Sequence, residues 1–558
     1  MPAYDGRLEL TWTNKHLRLL AHEDGSYEWV SPSDYRVAEV RLLTEVARVG
    51  EVGKERAADN LVIHGEALNA LTSLGRLPEF ASELLGKVKL VYIDPPFNTQ
   101  QSFLQYDDAL EHSVWLTMMR DRLLEVSHLV APNASVWVHC DDSEQHRLRS
   151  VMDEIFGTSA FVATVVWQKR ASRDNRAAFS SMHDYIHVYS PLGSGWSEVR
   201  NRLADEGAYA NPDQDPKGPW RSVPMSAQAG HATAAQFYEV VSPTGVVHSP
   251  PKGRCWTYAR ERFEELVAQG RVYWPRRGDG KPRLKMYPED TDGLVPFTIW
   301  LAEDVGDNNE AKKQLMAAFP DHEAFATPKP ERLMARIIQI ASDPGDIVLD
   351  PFVGSGTTAA VAHKMGRRWI AIESERVTVD TFAVPRLERV VEGTDLGGVS
   401  EAAAWAGGGG FRVLEVAPSM FVADRGLVYL ADGMTNGALA EATAAQLGFE
   451  FVQTPPFVGR KGRTRLAVVD GLVNATVVKL LVDSLPESER VVICGSAIDT
   501  DARLVLRELR PGSTLRKIPS ALLTEYRTNP QLALPLGHAG PMPPSNVAAA
   551  GARSDGDG

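Results

Sequence analysis

Cysteine is scarce in this chain: Cys140, Cys255 and Cys494 are its three, far apart and without a CxxC pair. Neither a disulfide framework nor a zinc cluster follows from that spacing, so all three are read as reduced structural thiols. His139 beside Cys140-Asp141-Asp142, and His183-Asp184, invite a metal reading. Neither has a second ligand pair, and an Asp after a strand end reads as a helix cap, so no metal is expected. No apolar run approaches the ~20 residues of a membrane span, and the opening MPAYDGRLEL has no basic-then-apolar leader, so a cytoplasmic protein is expected. Positive charge is in deficit, 59 Lys and Arg against 72 Asp and Glu, a net −13. That balance excludes whole-surface attraction to nucleic acid but leaves room for a local basic groove, because the contacting face sets the field. No GK[ST] follows the glycines, and no nuclease constellation is visible, so neither an ATP-driven motor nor a cutting site is assigned to this chain.

What is present is a β/α text. Short apolar strands at 90–93, 135–139, 161–167 and 185–189 alternate with helical patterns at 113–130, 142–156 and 331–341. Pro132-Asn133 is expected to break the first helix. The alternation predicts an α/β fold with helices on a mostly parallel sheet. Composition divides the chain into an N-terminal extension (1–58), a first α/β half (59–190) and a Gly, Pro, Ser and Asn-rich insertion (191–299). A second half (300–392), a linker (393–410), a C-terminal α/β domain (411–534) and a disordered tail (535–558) follow. Gln453-Thr454-Pro455-Pro456-Phe457 is read as a loop.

Residues 90–99, LVYIDPPFNT, form the centre of the functional reading. An apolar strand is stopped by two prolines, leaving a rigid loop with one carboxylate (Asp94), one carbonyl (Pro95), a second proline (Pro96) and one aromatic face (Phe97). Two acceptors beside a flat apolar surface suit a planar ring with an exocyclic amino group, such as adenine or cytosine. Its nitrogen lone pair, delocalised into the ring, would be localised by hydrogen bonds from both amino protons to Asp94 and the Pro95 carbonyl. An ordinary strand-ending turn is the competing reading. Residues 347–373, IVLDPFVGSGTTAAVAHKMGRRWIAIE, read as strand, glycine turn, helix, strand, acid. Gly354 and Gly356 let backbone approach a ligand at a helix N-terminus, and Glu373 ends the next strand, where it can accept from ribose hydroxyls. This unit predicts a nucleoside-containing cofactor. A hydride carrier has no use for the DPPF loop, whereas S-adenosylmethionine supplies both a ribose and a methyl group.

Between Lys252 and Lys285 lie ten Lys or Arg and four Asp or Glu, interleaved with Trp256, Tyr258, Tyr273 and Trp274. Lys252, Arg254, Arg276, Arg277, Lys281, Arg283 and Lys285 are the candidate DNA contacts, against the alternative of a solvated face with aromatics turned inward.

DPPF in the first half and DPFVGSGT in the second, with an insertion between, resembles the β-class of DNA amino-methyltransferases. More closely, the chain is similar to the modification (Mod) subunits of type III restriction-modification systems. DNLVIHGEALNAL, KVKLVYIDPPFNT, VVWQKRASRDNRAAFSSMHDYIHVYS, GDNNEAKKQLMAAF and ATPKPERLMARII agree. The resemblance implies a Rossmann-like fold with a seven-stranded type of sheet and an inserted DNA-recognition region. It implies Asp94, Pro95, Pro96 and Phe97 as catalytic residues, and Asp350, Phe352, Gly354, Ser355, Gly356, Thr357 and Glu373, with Lys329 and Pro330, around S-adenosyl-L-methionine. It further implies N6-methylation of adenine in double-stranded DNA by direct displacement on a flipped-out base. N4-methylation of cytosine and a catalytically idle DNA-binding subunit are the alternatives. A homodimer and a separate restriction/helicase subunit are the partners it suggests.

Overall fold

A computed structural model describes residues 9–21, 27–98, 111–173, 175, 178–203, 209–291, 293–323, 325–424, 427–432, 436–520 and 522. The tail expected at 535–558 lies outside them. The chain divides into two compact units, Asn201–Phe297 and the remainder.

The larger unit carries a ten-stranded sheet. Its strands are β1 (Leu43–Gly50), β2 (Asn60–His64), β3 (Val88–Ile93), β4 (Val130–Cys140) and β5 (Phe161–Gln168), then β6 (His183–Tyr189), β7 (Ile299–Trp300), β8 (Ile347–Asp350), β9 (Arg368–Glu373) and β10 (Gly410–Val416). They lie in the order β7-β5-β6-β4-β3-β8-β9-β2-β10-β1. Most pairings are parallel; β6 runs antiparallel to β4 and β5, and β1 to β10. The sheet thus has the expected α/β, mostly parallel character, with more strands than seven. In β3 every residue but Lys89 is buried, because a central parallel strand is covered on both faces.

Helices α1 (Ala67–Arg76), α2 (His112–Leu129), α3 (Gln145–Phe156), α4 (Asn308–Ala318), α5 (Glu331–Ala341), α6 (Thr357–Lys364) and α7 (Val384–Glu392) accompany it. In α5, Leu333, Ile337, Ile338 and Ile340 form the apolar stripe and are buried. The Asp307 carboxylate caps α4 by accepting from the Glu310 amide at 2.8 Å, worth about 1 kcal/mol.

Four expectations change. Pro132-Asn133 does not break α2: the helix ends at Leu129, and β4 starts at once. Val130 pairs with Val88 and the next partner pair is Ser135–Leu90, so the proline lies in a bulge where its missing N–H is not required. The strands at 161–167 and 185–189 are antiparallel neighbours, because no crossover helix lies between them among the described residues. The C-terminal domain does not begin at 411. β10 pairs with β1 and β2 in the main sheet, where buried Arg412 bridges Glu45 and Asp59, each at 2.6 Å. Nor is 393–410 a free connector. Asp395 lies 2.9 Å from Lys364, and the Val399 amide donates to Glu331 at 3.0 Å.

Beyond β10, a five-stranded sheet (Glu450–Thr454, Phe457–Lys461, Thr464–Val473, Arg490–Ile498, Thr514–Lys517) packs with helices Ala475–Asp483 and Ala502–Leu509. Pro455-Pro456 forms the hairpin turn of its first two strands.

Candidate active site

β3 and β8 are adjacent and parallel, with Leu349 opposite Val91. β3 is followed outward on one side by β4 and β8 on the other by β9, so the strand order reverses between them. Loops leaving the carboxyl ends of two such strands open on one crevice, which is where open α/β sheets bind ligands. Residues 94–97 and 350–357 leave those two ends, so the motifs, remote in sequence, meet.

The DPPF loop is held at several points. The indole N–H of Trp115, on α2, donates to the Pro96 carbonyl at 2.6 Å. Asn98 takes a left-handed φ of 61° and donates its side-chain amide to Glu144 at 2.8 Å. Glu144, fully buried, also pairs with Arg147 at 3.1 Å and with His112. Asp94 Oδ2 accepts from the ammonium of Lys329, while Oδ1 is buried without a hydrogen-bond partner among the described residues and lies 4.0 Å from Nδ1 of His139. The Phe97 ring is half-buried, 5.4 Å from the His139 ring, with the Lys329 ammonium 5.3 Å over its centre. Lys329-Pro330, expected near the cofactor, therefore has its lysine on the DPPF carboxylate.

In the glycine turn, Gly354 has φ +52° and Gly356 φ +84°. A Cβ at Gly354 would stand 3.3 Å from the Phe325 ring, and one at Gly356 3.3 Å from the Ala383 backbone. Left-handed backbone and close neighbours both call for glycine here. Glu373 accepts from the Gly354 amide at 2.9 Å through one oxygen and from the Glu375 amide at 3.0 Å through the other. Burial pushes its carboxyl up despite these bonds. A carboxylate has roughly four acceptor positions, so Glu373 keeps capacity for ribose hydroxyls. The turn's bare backbone and the acid's spare acceptors fit a nucleoside group.

Arg386, buried on α7, fixes the turn from behind. It donates to the Thr357 hydroxyl at 2.8 Å and the Ser355 carbonyl at 3.4 Å, and pairs with Glu331 at 2.8 Å. Lys364 joins the same Glu331 at 2.9 Å.

Asp350 is buried, and burial pushes its carboxyl up to about 7 against hydrogen bonds from the Thr358 hydroxyl and the Phe352 amide, the latter at 2.9 Å. A carboxyl raised on folding contributes stability that is complete below about 3.8 and is lost as the pH rises through about 7. Asp350→Asn is expected to remove that slope. Urea unfolding at about pH 6 and about pH 8 should show wild type losing ground to the variant at the higher pH. An unchanged difference between them would contradict the assignment.

The Asn201–Phe297 unit has its own core, including Met225, Val240, Trp256, Phe263, Leu266 and Leu284, with Tyr258 and Trp274 packed against it. Trp256, Tyr258 and Trp274 are thus structural, not a row of free stacking surfaces, because so small a unit needs its aromatics inside. Lys285 is also corrected as a DNA contact. It is buried and paired with Asp213 at 2.6 Å and with Asp215, acids some seventy residues earlier in the chain. Arg283 and Arg254 donate to Ser222 and Ser226, whereas Lys252, Arg276, Arg277 and Lys281 are exposed. Arg276, Lys281 and Arg283 line a cleft of about 390 Å³ with His248 and Trp256. Among the described residues no His, Cys, Asp or Glu cluster is arranged to hold a metal, and no helix is long and apolar enough to cross a membrane.

Residues 88–383 match the N6/N4 methyltransferase family, described as DNA methylase. The chain is 30% identical over 340 residues to the type III restriction-modification enzyme StyLTI Mod subunit of Salmonella typhimurium, covering 55% of this chain and 50% of that one. It is 30% identical over 440 residues to the probable HindVI Mod subunit of Haemophilus influenzae, covering 66% and 56%. The chain thus spans about half the length of these curated relatives. Among solved structures, PvuII DNA methyltransferase (cytosine-N4-specific) aligns with a TM-score of 0.34 at 16% identity, covering 60% of this chain and 90% of that one.

Proposed function

Because the chain belongs to the N6/N4 DNA methylase family, we propose that it is the modification subunit of a restriction-modification system. In this reading it transfers a methyl group from S-adenosyl-L-methionine to N6 of adenine in double-stranded DNA. The observation that carries the proposal is the meeting of Asp94 and the glycine turn at the β3/β8 strand-order reversal. S-adenosyl-L-methionine, when bound, supplies the methyl group as an activated sulfonium. Gly354 and Gly356 admit it to the turn, Glu373 accepts from its ribose, and Asp350, Phe352, Ser355 and Thr357 shape the pocket. Asp94 and the Pro95 carbonyl accept hydrogen bonds from the two amino N–H groups of the target base, localising the nitrogen lone pair. Phe97 stacks on that base once it has left the duplex, and stacking offsets part of the few kcal/mol that flipping costs.

Adenine rather than cytosine follows from Asp, not Ser, before the two prolines, a habit of the family. Digestion of DNA methylated in vitro, with nucleoside mass spectrometry, tests it. N6-methyldeoxyadenosine is the expected product, N4-methyldeoxycytidine would keep the mechanism and reverse the base, and no methylated nucleoside would contradict the function. The Mod relatives point to a separate restriction subunit as partner, and a homodimer is the proposed form.

DNA contact is proposed for the exposed cations of the insertion. Arg276→Ala and Lys281→Ala are each expected to weaken DNA binding on all sequences and to reduce the slope of log affinity against log salt by about 1. Lys285→Ala should instead lower the melting temperature, since Asp213 and Asp215 lose their cation. Unchanged salt slopes in the first two variants would remove the insertion from the interface.

A further inference from the structure

Two buried histidines lie close together in the main sheet and differ in their company. His187 has a hydroxyl, Thr164 Oγ1, at 3.0 Å from Nδ1 and a carbonyl, Gln145 O, at 3.0 Å from Nε2. Burial pushes it down to about 4, as befits a neutral structural imidazole. His139, fully buried on β4, stands instead between two carboxylates. Its Nδ1 is 2.9 Å from the Tyr92 hydroxyl and 4.0 Å from Asp94 Oδ1, the oxygen without a partner. Its Nε2 is 3.4 Å from Asp184 Oδ2, off the line of a hydrogen bond, and Asp184 Oδ1 is 2.6 Å from Lys169. Phe97 and Trp167 close the ring in, each with its centre 5.4 Å away. Among the described residues, other charged groups facing this cluster are Lys329, on Asp94, Asp350, beyond Tyr92, and Asp141, which interacts with Lys169 and Asp184.

We infer that His139 is a positioning residue for the proposed methyl transfer, on which this inference rests: through Asp94 it receives the proton that the target amino group must lose. As its nitrogen bonds to the methyl carbon and that carbon's bond to sulfur breaks, the amino group gains positive charge while still carrying two N–H bonds, and loss of one proton accompanies the transfer. One N–H bond breaks with its electron pair staying on nitrogen, and the proton goes to Asp94 Oδ1. From there it passes to Nδ1 of His139, restoring the carboxylate. The resulting imidazolium faces Asp184. Burial opposes the charge of Asp184, but the nearby charge of His139 and the hydrogen bond and charge of Lys169 hold its carboxyl down to about 2, so it is an anion throughout the working range. With Nε2 turned to that anion, the resting proton belongs on Nε2, and Tyr92 donates to Nδ1. Closing the gap to Asp94 takes a shift of about 1 Å, within what active-site hydrogen bonds show between free and bound states.

The test uses the full chain, with melting temperature and cofactor binding as checks of folding. His139→Gln is expected to lower single-turnover kcat about 10–100-fold, with KM for DNA unchanged, and to abolish the acid limb of the pH–rate profile. Two milder variants should move that limb in opposite directions. Asp184→Asn removes the counter-charge and shifts it down, whereas Tyr92→Phe removes a donor that favours neutral imidazole and shifts it up. 15N-histidine spectra of the cofactor-free chain, with His139 assigned from its variant, should show an Nε2-protonated ring that responds to both changes. Limbs and spectra unmoved by both, in a wild type that methylates, would overturn the relay alone. A wild type that methylates no DNA would refute the methyl-transfer reading itself.

Discussion

Asp94→Asn is expected to lower the methyl-transfer rate about 10²–10³-fold while leaving S-adenosyl-L-methionine affinity within about threefold of wild type. The loss should be that large because the carboxylate acts on charge that exists only as the amino nitrogen attacks. The affinity should hold because the glycine turn leaves a different strand end. Alanine at the same position is a harsher change. Like asparagine, it strips the Lys329 ammonium, whose side chain is 8% exposed, of its counter-charge, but it also removes the hydrogen-bond acceptor, and breaking such a pair outright costs about 3–5 kcal/mol. Adding Lys329→Met should recover most of that stability and none of the rate. Rapid-quench transfer assays and chemical denaturation separate the two effects. A double variant that recovers the rate would show Asp94 to be structural only.

Gly356→Ala is expected to weaken cofactor binding about 100-fold, equivalent to about 2.7 kcal/mol. The residue must adopt φ +84°, and its Cβ would meet the Ala383 backbone at 3.3 Å, so both the turn and the start of α6 would have to shift. Gly345 provides the control, with a similar φ of +88° and open space where a Cβ would go. Gly345→Ala should cost about 1–2 kcal/mol of stability through backbone strain alone and leave cofactor affinity unchanged. Calorimetric titration of both variants decides. Equal affinities would mean that the turn does not hold the ligand.

The site divides sharply into what local sequence carries and what it does not. Asp94-Pro95-Pro96-Phe97 and the Gly354–Glu373 unit were legible because each is a contiguous stretch whose residue types dictate its own backbone. Their meeting was legible as well, since strand ends of one parallel sheet share an edge. His139 and Asp184 were visible only as strand-end polar residues that suggested a cap or an incomplete metal site. Their contact depends on β6 lying antiparallel to β4, and a pattern of buried strands does not encode strand direction. Lys285 failed for a similar reason. A run of cations looks like a DNA surface until acids from some seventy residues earlier in the chain fold onto one of them. The strand at 410–416 was assigned to the wrong domain because a glycine-rich stretch before it resembles a boundary. Only the pairing with β1 and β2 reveals that the main sheet continues past it.

The account stands or falls on whether one site, centred on Asp94, methylates DNA. Base-resolved sequencing of DNA from cells expressing the wild-type chain, beside cells expressing Asp94→Asn, tests this most directly. The expected result is N6-methyladenine at one short recurring sequence, present with wild type and absent with the variant. The same marks in both, or none with wild type when its proposed restriction partner is co-expressed, would contradict it.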